Sequence, residues 1–230
     1  MSERVRASGA DGAPGGGAPS GRAWVDEYAV DTAPFHAFVA AAAAIVERHA
    51  DAEGAIAELR EPFSRLLRDD DWLPDDFAVP AVNSGMGGGI GAYLLYRNAA
   101  RTLSISSLVV PAGAMTPIHD HLGWGLVGLY RGEQHEEVFR RTDRGERDGQ
   151  ADLDLVERRH LRRGDFYELI PPEGDIHRVV AAHPEGTRQP SVSIHLLRND
   201  VGCIDRHSFD LEAHAVRPFR SGYVNVECQP

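Results

Sequence analysis

With 24 Lys and Arg against 35 Asp and Glu, the 230-residue chain carries a formal net charge of −11. That argues against a nucleic-acid partner, because phosphate binding needs a basic surface. Its two cysteines, Cys203 and Cys228, are too few for a disulfide framework and fit a reducing cytoplasm. No run of 18 apolar residues and no charged-then-apolar leader is visible, so the expectation is a soluble intracellular protein off the membrane.

Residues 1–22 are rich in Gly, Ala, Pro and Ser and cannot bury enough apolar surface to offset their ordering entropy, which predicts a disordered tail. A helical segment, 23–76, comes next. Asp31 and Thr32 before Pro34 mark a helix start, and the Ala-rich pattern predicts a helix over 35–49. A second helix over 52–67 places Ile56, Leu59, Phe63 and Leu67 on one face. His36 and His49 fall on these helices and are assigned no role. The acidic run 69–76 reads as a solvated loop.

After Gly87-Gly88-Gly89 the pattern changes to short strands over 92–96, 103–110, 126–130, 136–140, 153–156, 166–170, 176–180 and 191–197. Residues 142–151 form a charged hairpin loop. Many short strands between turn signals predict a mainly β sandwich or barrel over 77–230, within one domain overall. His119 and His121, two apart in extended chain, point to the same face of one strand. His177 opens a distant strand after the Pro172-Glu173-Gly174 turn. Two histidines on one strand and a third on another predict a three-His metal site in a small β-barrel.

These residues resemble a family. His119-x-His121, Gly132-Glu133 and Pro172-x-Gly174-x-x-His177 follow the two cupin motifs, which implies a double-stranded β-helix barrel. The stretch from Thr116 through Trp124-Gly125 to Arg131-Gly132-Glu133 is similar to bacterial thiol dioxygenases of the cysteine dioxygenase superfamily, most of all the 3-mercaptopropionate dioxygenases. Gly174-Asp175-Ile176-His177 and Ser193-Ile194-His195 follow in the same order, and the resemblance covers roughly residues 90–210. It implies Fe(II) held by His119, His121 and His177, a Ser193–His195 pair beside it, and Arg206 gripping a substrate carboxylate in a bidentate fork. Trp124 would wall the pocket, fill the barrel mouth or receive a quaternary ammonium on its face.

The chain departs from both patterns. No carboxylate follows His121 where cupins usually place a fourth ligand, so three neutral imidazoles would leave the metal its full charge for a thiolate and O2. The family tyrosine two residues past the second-motif histidine is Leu197 here. Either Tyr130, Tyr167 or Tyr223 ends that hydrogen-bond chain, or it stops at His195. No cysteine lies near Trp124, so the Cys–Tyr crosslink of mammalian-type enzymes cannot form. The expectation is an Fe(II)-dependent dioxygenase taking O2 and a small thiol or thione, one bulkier than 3-mercaptopropionate and ergothioneine-like being favoured by Leu197. A non-catalytic metal-binding cupin, or a cupin hydrolase or isomerase using Zn, Mn or Ni, stays open.

Overall fold

The computed structural model describes residues 25–82, 85–182 and 189–228, so the tail expected over 1–22 lies outside them. The described chain opens with β1 (Glu27–Tyr28), α1 (Ala33–Arg48) and α2 (Ala52–Arg68). Helix α1 buries Phe35, Phe38, Val39, Ala42 and Ile45 at helical spacing. Pro34 sits in its first turn, but the Thr32 hydroxyl donates to the Trp72 carbonyl at 3.0 Å instead of capping. At α2, the Asp51 carboxylate accepts the Gly54 N–H at 2.7 Å and satisfies a helix-end donor.

Then follow β2 (Gly91–Arg97), β3 (Ser104–Val110), β4 (Ile118–His119), β5 (Gly125–Arg131) and β6 (Glu133–Arg141). The chain returns through β7 (Leu153–Arg162), β8 (Phe166–Leu169), β9 (Ile176–Ala181) and β10 (Ser191–Leu197), and closes with β11 (Arg206–Asp210) and β12 (Ala215–Phe219). The last two went unread in the sequence. Their charged residues and Pro218 obscure the alternation, and Pro218 is tolerated because β12 is a sheet edge.

The strands form two six-stranded antiparallel sheets, β1-β2-β3-β10-β5-β8 and β12-β11-β4-β9-β6-β7. Pairing is nested: β3 with β10, β4 with β9, β5 with β8, and β6 with β7 across the 142–152 loop. Successive pairs alternate between the sheets, so a two-stranded ribbon winds into a helix. The fold is a cupin-type β-barrel with an N-terminal helical segment.

The helices cover the outer face of the first sheet. Phe35, Leu59, Phe63, Leu67 and Trp72 pack there with Leu126, Tyr130, Val192, Ile194 and Leu196. Close approach needs a bare backbone at Gly128, where a Cβ would lie 2.4 Å from Leu67 Cδ1 and 2.8 Å from Phe63 Cε1. Phe35 and Trp72 stack at 5.2 Å, and the Trp72 indole N–H donates to the Leu66 carbonyl at 2.9 Å, so the buried indole keeps its hydrogen bond.

Cys203 and Cys228 are bonded to each other, which departs from the reducing-cytoplasm reading, since such bonds are rare there. The bond ties the last described residues to the loop after β10. Along that segment the Gly222 N–H donates to Gly202 O at 2.9 Å and the Val224 N–H to Ala92 O at 2.8 Å. Asn225 pairs with both backbone groups of Leu94. No described helix is long and apolar enough to cross a membrane.

Candidate metal centre

The wound ribbon brings the three histidines together. His119 on β4 lies opposite His177 on β9 in the strand register, and His121 follows one turn of the pleat later. The ring centroids are 5.0 Å apart for His119 and His121, and 4.8 Å from each of these to His177. One ring nitrogen from each lies within 4.8 Å of the others, and all three side chains are buried.

Each ring is oriented through Nδ1. His119 Nδ1 meets the Pro117 carbonyl at 2.9 Å, and His121 Nδ1 meets the carbonyl and Oδ1 of Asp175, both at 3.2 Å. His177 Nδ1 lies 3.0 Å from the Tyr167 hydroxyl and 3.5 Å from Glu136 Oε2. Nε2 of His121 and of His177 is buried without a hydrogen-bond partner. Such orphaned groups are costly unless something binds them. The donor set therefore fits a divalent transition metal. Burial, reinforced by the Arg206 guanidinium and the neighbouring rings, holds His119 and His121 well below the usual imidazole range, in the neutral form that ligates.

The chain beyond His121 is clamped. Asp175 accepts the backbone N–H groups of His121 at 3.0 Å and Leu122 at 3.1 Å, while Asn199 donates to the His121 carbonyl at 2.7 Å. Leu122 takes a left-handed φ of 58°, strain that persists only where surrounding bonds over-determine it.

No carboxylate stands in the stretch after His121, as read in the sequence, but two lie behind the rings. Asp175 and Glu136 stand against the outward nitrogens rather than in a fourth ligand position, so they orient the rings without joining the set. Asp175 belongs to a motif read in the sequence, but Glu136 does not. It looks like part of a solvated Glu136-Glu137 run, yet period-two counting back from buried Val138 turns it inward. Tyr167, weighed as a partner for His195, instead stands at His177. Its phenol is pushed well above 10 by burial and then by Glu136.

Strand β10 supplies the second group. Ser193 Oγ lies 3.1 Å from His195 Nε2, and the His195 ring is 6.2 Å from that of His121. Burial first, then His177 and Arg206, lower His195 to about 3. Among the described residues Ser193 is its hydrogen-bond partner. The Tyr130 hydroxyl donates to Asp70 O, and that of Tyr223 to Asp200 while accepting the Gly202 N–H. The chain of hydroxyls stops at His195, and Leu197 packs with Val127, Leu169 and Val201.

Arg206 opens β11 and is buried. It donates from Nη1 to Asp120 O at 2.6 Å and from Nη2 to Ser221 Oγ at 3.0 Å, with the guanidinium 4.6 Å from the Phe219 ring centre. Its Nε has no partner, and burial lowers its pKa to about 10 against the pull of Asp120. His119, His121, His195, Arg206, Ser221 and Tyr223 line one cavity, with about 30 Å³ open to water centres. Trp124 is not among its lining residues. It shares the helix-facing side with Leu126 and packs on that core, and the Arg198 guanidinium stands 5.8 Å from its ring centre.

No family model matches the sequence. An uncharacterized conserved protein with a double-stranded β-helix domain from Klebsiella pneumoniae is similar at 12% identity over 66% of this chain and 99% of its own, with a TM-score of 0.39. A recombinant oxalate oxidase solved with glycolate is similar at 16% identity over 58% of this chain and 62% of its own, with a TM-score of 0.38. A RmlC-like cupin from Desulfovibrio desulfuricans matches at 18% identity over 47% and 82%, with a TM-score of 0.32.

Proposed function

We propose that this protein is an Fe(II)-dependent thiol dioxygenase that oxidises a small thiol to its sulfinate with both atoms of O2. One observation carries the reading: two members of the buried three-His cluster, His119 and His121, line one cavity with His195 and Arg206, which the motif resemblance assigns to the pocket beside the iron and to the substrate carboxylate. Iron held by His119, His121 and His177 would supply the centre at which a thiolate and O2 are brought together.

The protein residues have separable tasks. Arg206, fixed by Asp120 and Ser221 and with Nε unpartnered, holds the carboxylate at the far end of the substrate. His195 is neutral above about pH 3, so it offers a hydrogen bond without charge, and Ser193 sets its ring orientation. Val201, packed with Val127, Leu169 and Leu197, gives one side of the cavity an apolar wall.

The test is metal analysis after anaerobic purification, joined to O2 uptake against a panel of thiols and thiones. The expected result is about one iron per chain, O2 consumption with a small thiol acid, and a product two oxygens heavier. Stoichiometric iron with no O2 consumed on any member would make this a metal-binding cupin. Another metal as the native occupant would point to hydrolysis or isomerisation.

A further inference from the structure

Each candidate ligand has a different outward partner. His119 uses a backbone carbonyl, and His121 uses Asp175, which also holds two backbone N–H groups. His177 has the Tyr167 hydroxyl at 3.0 Å and Glu136 Oε2 at 3.5 Å. Glu136 is fully buried on the inward face of β6, and neither of its carboxyl oxygens makes a hydrogen bond. Opposite it on β7 stands Arg159, whose guanidinium donates to Glu157 at 2.6 Å and lies 4.6 Å from the Tyr167 ring centre. The fold thus buries a carboxyl group without a well-formed hydrogen bond, facing the Tyr167 hydroxyl and one ligand's outer nitrogen.

Burying such a group costs stability, and replacing a buried ionic group with a neutral one of similar shape is often neutral or favourable. Retention of a costly group beside a cation site makes sense if the cation is what it serves. A carboxylate behind a histidine fixes the ring tautomer with the proton on Nδ1, frees Nε2 for metal and makes the imidazole a stronger donor. Nε2 of His177 is the orphaned atom this arrangement would prepare.

We propose that Glu136, with Tyr167, is a positioning pair for His177 and the buried counter-charge of the metal, a carboxylate placed behind a ligand where cupins usually place one among the ligands. The inference rests on the metal-centre reading above but not on any reaction. Because Glu136 acts through His177, its effect belongs to metal affinity and ligand field. It differs in sign from that of a residue kept for folding.

The experiment titrates Co2+ into the metal-free full chain and records the d–d absorption spectrum and the thermal midpoint of the metal-free form. Wild type, His119→Ala, Glu136→Gln, Glu136→Asp and Tyr167→Phe are compared. For Glu136→Gln we expect Co2+ affinity to fall roughly 10- to 100-fold with a shifted spectrum, while the metal-free midpoint stays unchanged or rises. Glu136→Asp should restore part of the affinity, and Tyr167→Phe should lose less than Glu136→Gln. Glu136→Gln binding within about two-fold of wild type would overturn the inference, as would a lowered metal-free midpoint that accounts for the loss. Wild type binding no Co2+, or binding unaffected by His119→Ala, would instead remove the metal-centre reading and this inference with it.

Discussion

Strand β10 is buried along its whole length, yet its two faces are chemically opposite. Val192, Ile194 and Leu196 point out to the helices and meet only apolar groups. Ser193 and His195 point into the barrel, where the cavity that His195 lines gathers imidazoles, a guanidinium and hydroxyl groups beside a few apolar side chains. The outer face is where burial contributes stability, at about 25 cal/mol per Å² of apolar surface. The inner face spends burial on polar atoms, several of them unpartnered. Folding and chemistry are divided between the two sides of one sheet.

The sharpest break of that contrast is His177→Ala. Bound iron should be almost entirely lost while the thermal midpoint of the metal-free protein stays close to wild type, read by metal analysis beside calorimetry. Full iron content in this variant would remove the centre. Phe63→Ala is its mirror image. Phe63 is fully buried under the first sheet, and truncation should cost about 3–5 kcal/mol in denaturant unfolding with iron stoichiometry unchanged.

Leu197→Tyr places a phenol on the inner face of the same strand. Overpacking against Val127, Leu169 and Val201 should cost about 1–3 kcal/mol. If the hydroxyl reaches His195, kcat/KM for a small thiol acid should rise against larger thiones. A fall for every substrate would show that Leu197 serves only packing.

The gentlest effect near neutrality is on pH. Burial holds His195 at about 3 against an ordinary 6.5, so the unfolded chain binds more protons between those values. Stability of the metal-free protein should be constant in this respect above pH 6.5 and fall as pH drops toward 3. His119 and His121 add in the same direction. In His195→Phe that acid slope should flatten, as denaturant midpoints across the range would report.

The outer face was legible in the sequence and the inner face only in part. Period-two strands and the helical stripe of Ile56, Leu59, Phe63 and Leu67 are hydrophobic patterns, and the structure keeps them. The spacing of His119 and His121 could be read because a strand puts both on one side. Glu136 was missed because a Glu-Glu pair is usually solvated and the adjacent Val138-Phe139 leaves the strand's phase ambiguous, which the register of β6 against β9 settles. Trp124 went to the helix side for the same reason: a one-residue offset decides the face. The pairing of Cys203 with Cys228 depends on where the last segment travels after β12, which no local pattern encodes.

That cysteine bond closes a covalent ring across a sequence separation of 25 residues, and β11, β12, Arg206, Ser221 and Tyr223 all lie inside it. Joining the ends of such a loop removes roughly 3–4 kcal/mol of chain entropy from the unfolded state in the polymer model. The arginine side of the cavity is therefore a tethered circuit, whereas His177 on β9 is held by strand pairing and side-chain contacts with no covalent tie. A thiol offered as substrate is also a reductant: two equivalents open the ring, leaving Cys203 and Cys228 as thiols and releasing the thiol's own disulfide. The redox state of this ring and the concentration of thiol in an assay are thus linked variables.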